Sequence, residues 1–157
     1  MNQSFTFEYQ RLTYDELTPA DQQLIDAAMQ ALDGAHAPYS HFQVGSAVLM
    51  ADGSVVTGNN QENAAYPSGL CAERVALFAA KSQSKQPIQA ITVVARNAQG
   101  EMADAFSCGN CRQVMLEYAG QQQEGLRVIM GDRTGHFIVL ADTRQLLPFS
   151  FGSETLG

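Results

Sequence analysis

The spacing of apolar positions divides the chain into alternating helical and extended segments. Leu24, Ile25, Ala28, Met29 and Leu32 recur at three- and four-residue intervals, the period of a helix that buries one face. Thr18 and Pro19 precede that run in the order of an N-cap and a first-turn proline, and Gly34 follows it as a stop. The pattern then changes. Residues 42–50 are largely apolar with a glycine inside, Asp52-Gly53 is a hairpin turn pair, and 55–59 returns as the second arm. After the turn residues Tyr66-Pro67-Ser68-Gly69, strong helix formers with apolar Val75, Ala76, Phe78 and Ala79 predict a helix over 71–81 that starts at or just before Cys71. The β-branched run 91–95 reads as a buried strand. The order then recurs, with a helix from Gly109 through Val114, Met115 and Tyr118, a strand at 126–130, a turn at 132–135 and a last arm at 137–140.

Such alternation predicts an α/β fold, a sheet with helices on both faces. No repeat, low-complexity tract or long linker interrupts the 157 residues, so one domain spanning 1–157 is expected. With 45% hydrophobic and 16% charged residues the composition is that of a globular protein. No apolar run approaches the ~20 residues a membrane helix needs, and no membrane partner is expected. The first residues lack a basic stretch followed by an apolar one, which predicts a cytoplasmic protein. A formal charge of −7 with no basic stripe repels a phosphate backbone, so a small uncharged substrate is expected rather than nucleic acid.

The three cysteines are an odd number, which fits poorly with a fully paired disulfide framework and points to metal or thiol chemistry. Cys108-Gly109-Asn110-Cys111 lets two thiolates reach one ion from a turn entering a helix, although a redox pair has the same spacing. Cys71 is the only further thiol. Three ligands and one open coordination position are what a catalytic zinc site requires, whereas a structural site closes with a fourth ligand. His36, His41 and His136 have no ligand-like spacing to the cysteines and read as surface or turn residues. Glu73, two residues after Cys71 at a helix start, sits where a general acid/base can flank the metal without binding it. The general pattern of zinc deaminases has this form, a ligand two before Glu and then C-x-x-C. Three thiolates on one dication need compensation, which helix N-termini and a hydrogen bond from Arg74 or Arg112 can supply; Arg74 is favoured because it adjoins Glu73.

The ordered motifs Pro38-Tyr39-Ser40-His41-Phe42, Val44-Gly45, Asn60-Gln61-Glu62-Asn63, Cys71-Ala72-Glu73-Arg74, Cys108-Gly109-Asn110-Cys111-Arg112-Gln113 and Leu146-Leu147-Pro148 span most of the chain. In this order the sequence resembles the cytidine deaminase family, specifically its small all-cysteine zinc class. The resemblance implies a three-layer α-β-α sandwich with a mixed central sheet, and one Zn²⁺ per chain on Cys71, Cys108 and Cys111. It further implies hydrolytic deamination of cytidine or 2′-deoxycytidine in pyrimidine salvage, with Glu73 moving protons. By the same resemblance Asn60 and Glu62 bind the ribose 3′-hydroxyl, Phe42 stacks on the pyrimidine, and Ala72 offers backbone contacts to the base. A homotetramer is implied, with Tyr66 and Phe151 as subunit contacts. The alternatives are a deaminase of another amino-heterocycle, such as a nucleoside antibiotic, or a zinc-stabilised binding protein without turnover. Ser107 and Gln43 stand where the family commonly has proline, and Asn59 where many members have cysteine.

Overall fold

In the computed structural model, which describes residues 1–157, the most apolar run of the chain becomes the axis of a sheet. The elements are β1 (Gln10–Thr13), α1 (Pro19–Ala31), β2 (Gln43–Met50), β3 (Val55–Asn59), α2 (Ala72–Gln83), β4 (Ile88–Arg96), β5 (Met102–Ala103), α3 (Gly109–Gly120), β6 (Arg127–Gly131) and β7 (His136–Leu140). The strands follow the order β1-β7-β6-β4-β2-β3, and the short β5 pairs with the end of β4. Only β4 and β6 are parallel, joined across the sheet by α3, so the sheet is mixed.

Alternation along β4 sends side chains to two separate cores. Ile91, Val93 and Ala95 face α2 and α3, where they meet Ala76, Leu77, Cys111 and Met115. Ala90 and Val94 face α1, where they meet Leu24, Ile25, Ala28 and Leu32. The result is the expected three-layer α-β-α arrangement. Two glycines set how closely the layers approach. A Cβ on Gly45 would lie 2.0 Å from the Ala28 carbonyl oxygen in α1, and one on Gly58 would lie 2.5 Å from the Ala76 nitrogen in α2.

Helix α1 starts as its sequence predicts, with the Thr18 hydroxyl accepting from the Asp21 amide at 3.2 Å. Met29, expected on its buried face, is instead 37% exposed, as is Phe78 of α2 at 41%, because each lies at the edge of the stripe its helix buries. Strand β4 extends three residues before and one after the expected 91–95. The Gln122 side chain supports its start, accepting from the Ile88 amide at 2.9 Å and donating to the Ile88 carbonyl at 2.8 Å. Strands β1 and β5 carry no strong apolar pattern. Only Leu12 of β1 is even half-buried, and main-chain pairing with β7 together with an Arg11–Asp132 ion pair of 2.9 Å holds the strand in place. Elsewhere in the α1 layer, the buried Asp21 accepts two bonds from Arg127, at 3.0 and 2.9 Å, tying the start of α1 to the start of β6.

Candidate active site

Helices α2 and α3 lie on the same face of the sheet and present their N-termini to one point. Cys71 is the N-cap of α2 and Cys108 the N-cap of α3, and neither sulfur accepts a capping bond from its own helix. Cys111 comes one turn later in α3, where the helix carries it inward to full burial. The three sulfurs lie within 4.8 Å of one another, with Cys71 and Cys108 3.8 Å apart and Cys108 and Cys111 3.5 Å apart. Thiolates placed tetrahedrally about 2.3 Å from a zinc ion are separated by about 3.8 Å, so this donor set fits zinc. No histidine or carboxylate completes the cluster as a fourth ligand.

The surroundings suit thiolate. The partial positive ends of two helices converge on the sulfurs. Arg74, rather than Arg112, reaches them, its Nη2 donating to Cys71 Sγ at 3.5 Å. A proton shared with the Cys111 thiol, reinforced by Arg74, draws the Cys71 thiol down to about 5. Cys111 moves oppositely, pushed up by its hydrogen bond to the Cys71 thiolate and by burial. Arg112 instead braces the backbone: its Nε donates to the Ser107 carbonyl at 2.8 Å and its Nη1 to the Leu146 carbonyl at 3.2 Å, fixing the loop that leads into Cys108.

Glu73 is only 4% exposed, and burial pushes its carboxyl above the usual range. Above the sulfurs opens a cavity of about 670 Å³, bordered by Cys71, Glu73, Cys108, Phe42, Val44, Val93, Asn60, Glu62, Tyr66, Asp104 and Phe106, among others. Glu62 is fastened at one wall, accepting from the Ser40 hydroxyl and from the Tyr39 amide at 2.9 Å; these bonds, the Ser40 one foremost, hold its carboxyl below the ordinary value. Asn60 braces the strand entrance: its Oδ1 accepts from the Val44 amide and its Nδ2 donates to the Phe42 carbonyl, both at 2.8 Å. One N–H and one lone pair of that amide remain for a ligand.

Ala72 and Phe151 do not line the cavity. Ala72 is buried beneath it, and Phe151 is 57% exposed on the C-terminal segment, its carbonyl accepting from Gln113 Nε2 at 2.8 Å. Tyr66 sits on the rim, 80% exposed and edge-on to Tyr39. Two wall residues are not evident from the sequence. Asp104 is gripped by the Arg133 amide at 2.9 Å and its Nε at 2.8 Å, and Phe106 projects beside it. Their only signal in the sequence is proximity to Cys108. Two departures from the family pattern have visible partners: Gln43 Oε1 accepts from Arg96 Nε at 2.9 Å, and Asn59 Nδ2 donates to the Ala31 carbonyl at 3.0 Å.

Three convergent thiolates with an open fourth position, set under a cavity at the edge of an α/β sheet, define a zinc centre of the hydrolytic rather than the closed structural kind. Residues 18–123 match the family described as the cytidine and deoxycytidylate deaminase zinc-binding region. The chain belongs to the cytidine deaminase family. It is 43% identical over 135 residues to a cytidine deaminase of Halalkalibacterium halodurans, covering 86% of this chain and 96% of that one. To a cytidine deaminase of Sporosarcina psychrophila it is 38% identical, covering 86% and 93% of the two chains. The crystal structure of cytidine deaminase from Burkholderia pseudomallei superposes with a TM-score of 0.73 at 39% identity, covering 86% of this chain and all of that one.

Proposed function

We propose that this chain hydrolyses the exocyclic amine of cytidine and 2′-deoxycytidine, giving uridine or 2′-deoxyuridine and ammonia, as a single-domain cytoplasmic enzyme with one zinc per chain. The observation that carries this reading is the buried Glu73 beside a three-sulfur cluster with no fourth ligand, at the floor of a cavity with room for a nucleoside. Zinc held by Cys71, Cys108 and Cys111 supplies a Lewis-acid position at which water becomes a nucleophile near neutral pH. Glu73 accepts a proton from the water attacking C4 and hands it to N3; it then takes the second proton from the resulting C4 hydroxyl and delivers it to the amine, which leaves as ammonia as the C4–N bond breaks and C4=O forms. Burial serves this cycle, since a carboxylate whose pKa is raised above its usual value is the stronger base toward the attacking water.

Phe42, which borders the cavity, stacks on the pyrimidine. Asn60 and Glu62 meet the ribose 3′-hydroxyl, one as donor and the other as acceptor. That division suits a sugar hydroxyl, which is both. Arg74 tunes the zinc through Cys71. The assembly proposed is a homotetramer in which Tyr66 and Phe151 contact neighbouring subunits. The exposed, paired rings of Tyr39 and Tyr66, and the exposed rings of Phe149 and Phe151, support that assembly.

The deciding experiment is an ultraviolet assay of cytidine, deoxycytidine, cytosine, CMP and adenosine, run with wild type and Glu73→Gln. Turnover of the two cytosine nucleosides is expected, with kcat reduced at least ~10²-fold in the variant while zinc and fold are retained. Wild-type turnover by Glu73→Gln would refute the role given to Glu73. Light scattering on the zinc-loaded protein tests the tetramer.

A further inference from the structure

Three carboxylates border the cavity, and of these Glu73 and Glu62 have roles in the reading above while Asp104 has none. The sheet places Asp104. Strand β5 pairs with the end of β4 in the lane that β6 fills further along, and the Ala105 amide then donates to the Gly131 carbonyl at 2.9 Å, so Asp104 reaches the cavity from the β6 side of β4. Asn60 and Glu62 follow β3, which lies beyond β2 on the other side. Arg133 holds the Asp104 carboxylate still: Oδ1 accepts from the Arg133 amide at 2.9 Å, and Oδ2 accepts from Nε at 2.8 Å and from Nη2. Three of about four acceptor positions are thereby filled, which leaves one on Oδ1. The side chain is 27% exposed. A second cavity of about 670 Å³, with Met102 and Arg133 on its border, adjoins the first at Phe42 and Asp104, which border both, so the wall at Asp104 has open space behind it.

A cytosine ring bound as proposed above has a determined orientation. C4 lies at the three sulfurs, N3 at Glu73 on α2, and N1 carries the sugar toward Asn60 and Glu62. N3 and C5 flank C4 on opposite edges of the ring, so C5 points away from α2 and toward the segment between β5 and α3, which Asp104 begins. On that functional reading, we propose that Asp104 is a specificity-determining residue that selects cytosine nucleosides whose C5 substituent donates a hydrogen bond, such as a hydroxymethyl group. The adjoining cavity gives the substituent room, and a carboxylate already held by Arg133 accepts its hydrogen without having to be ordered first. A methyl group in the same place strips water from a charged group and returns no hydrogen bond. Asp104 takes no part in the proton transfers, and no bond to the substituent forms or breaks.

The test measures kcat/KM of the zinc-loaded enzyme for deoxycytidine, 5-hydroxymethyldeoxycytidine and 5-methyldeoxycytidine in wild type, Asp104→Ala and Asp104→Asn. Wild type should favour the hydroxymethyl over the methyl substrate by at least about tenfold, the effect of one hydrogen bond to a charged group. Asp104→Ala should bring that ratio to within about twofold of unity. Asp104→Asn, which keeps a neutral acceptor, should hold it between the two. Each ratio is read on one preparation, so a smaller folded fraction cancels from it, and Asp104→Asn carries the comparison if the alanine variant does not fold. A wild-type ratio near one overturns the proposal, as does turnover of deoxycytidine with neither C5-substituted substrate used. A ratio left at the wild-type value by Asp104→Ala, or by Asp104→Asn in its place, overturns it too, by tracing the preference to the substituent's own electronic effect on C4. A wild-type enzyme inactive on deoxycytidine overturns instead the functional reading on which the proposal stands.

Discussion

Cys71 and Cys108 hold their sulfurs 3.8 Å apart although 37 positions separate them and each caps a different helix. Their meeting depends on α2 and α3 packing side by side over β4, through Ala76, Leu77, Cys111 and Met115 against Ile91 and Val93. The unfolded chain has no such site, so zinc affinity is also folding free energy.

Removing zinc with a chelator should therefore abolish turnover and lower Tm. At free zinc about a thousandfold above Kd the linkage is worth about 4 kcal/mol, roughly 10 °C for a domain of this length. Cys71→Ser should reproduce both effects in metal analysis and thermal melts. Arg74→Ala, which removes the 3.5 Å contact to Cys71 Sγ, should fold but release zinc faster to a competing chelator and turn over more slowly. Unchanged zinc retention and rate in Arg74→Ala would remove the charge-compensation argument.

Glu62 is presented to the cavity by Tyr39 and Ser40. Glu62→Gln should raise KM for cytidine by about 10- to 100-fold, the size of a hydrogen-bond mismatch to a substrate hydroxyl, and leave any turnover of free cytosine unaltered. Steady-state kinetics on nucleoside and base separates a sugar contact from a general loss of structure, which would lower both.

Asp132 closes the β6–β7 turn. Burial would raise its carboxyl, but bonds from the Thr134 hydroxyl, the His136 and Thr134 amides and Arg11 overcome that and hold it well below the usual range. A folded value depressed below the unfolded one contributes stability that is complete above about pH 4 and is lost as pH falls through the folded value. The Tm gap between wild type and Asp132→Asn should accordingly be constant near neutrality and narrow below about pH 4. A gap that widens in acid would show the sign to be wrong.

Gly45 lies under α1 with no room for a methyl group, since its Cβ would stand 2.0 Å from the Ala28 carbonyl oxygen. Gly45→Ala should destabilise by about 3 kcal/mol by displacing α1 from the sheet, read as a lower urea midpoint. Zinc content at low temperature should persist, because α1 packs on the face opposite the metal centre.

The parts of this architecture legible in the sequence are those whose cause is local. Thr18-Pro19 starts α1, Asp52-Gly53 turns the hairpin, and Cys108 opens α3, each through chemistry confined to a few neighbouring residues. Strands β1 and β5 were not legible, since β1 is held by pairing to β7 more than 120 positions away rather than by an apolar pattern. The same distinction governs the cavity. Its zinc-binding cysteines share a motif, whereas Asp104 enters the wall through Arg133, and Asp21 becomes a buried ion pair only once Arg127 is brought to it. Long-range pairs of this kind leave no periodic trace.

The Asn60 amide has a consequence for how this enzyme can change. One side chain joins the Phe42 carbonyl to the Val44 amide and borders the cavity beside Glu62. On the roles proposed above for Asn60 and Phe42, sugar preference and base preference are thus not separately tunable. A lineage drifting toward another sugar by replacing Asn60 would first have to find a new fastening for the backbone of Phe42, so tolerance of altered ribose should arise through Glu62 and its Tyr39-Ser40 cradle instead.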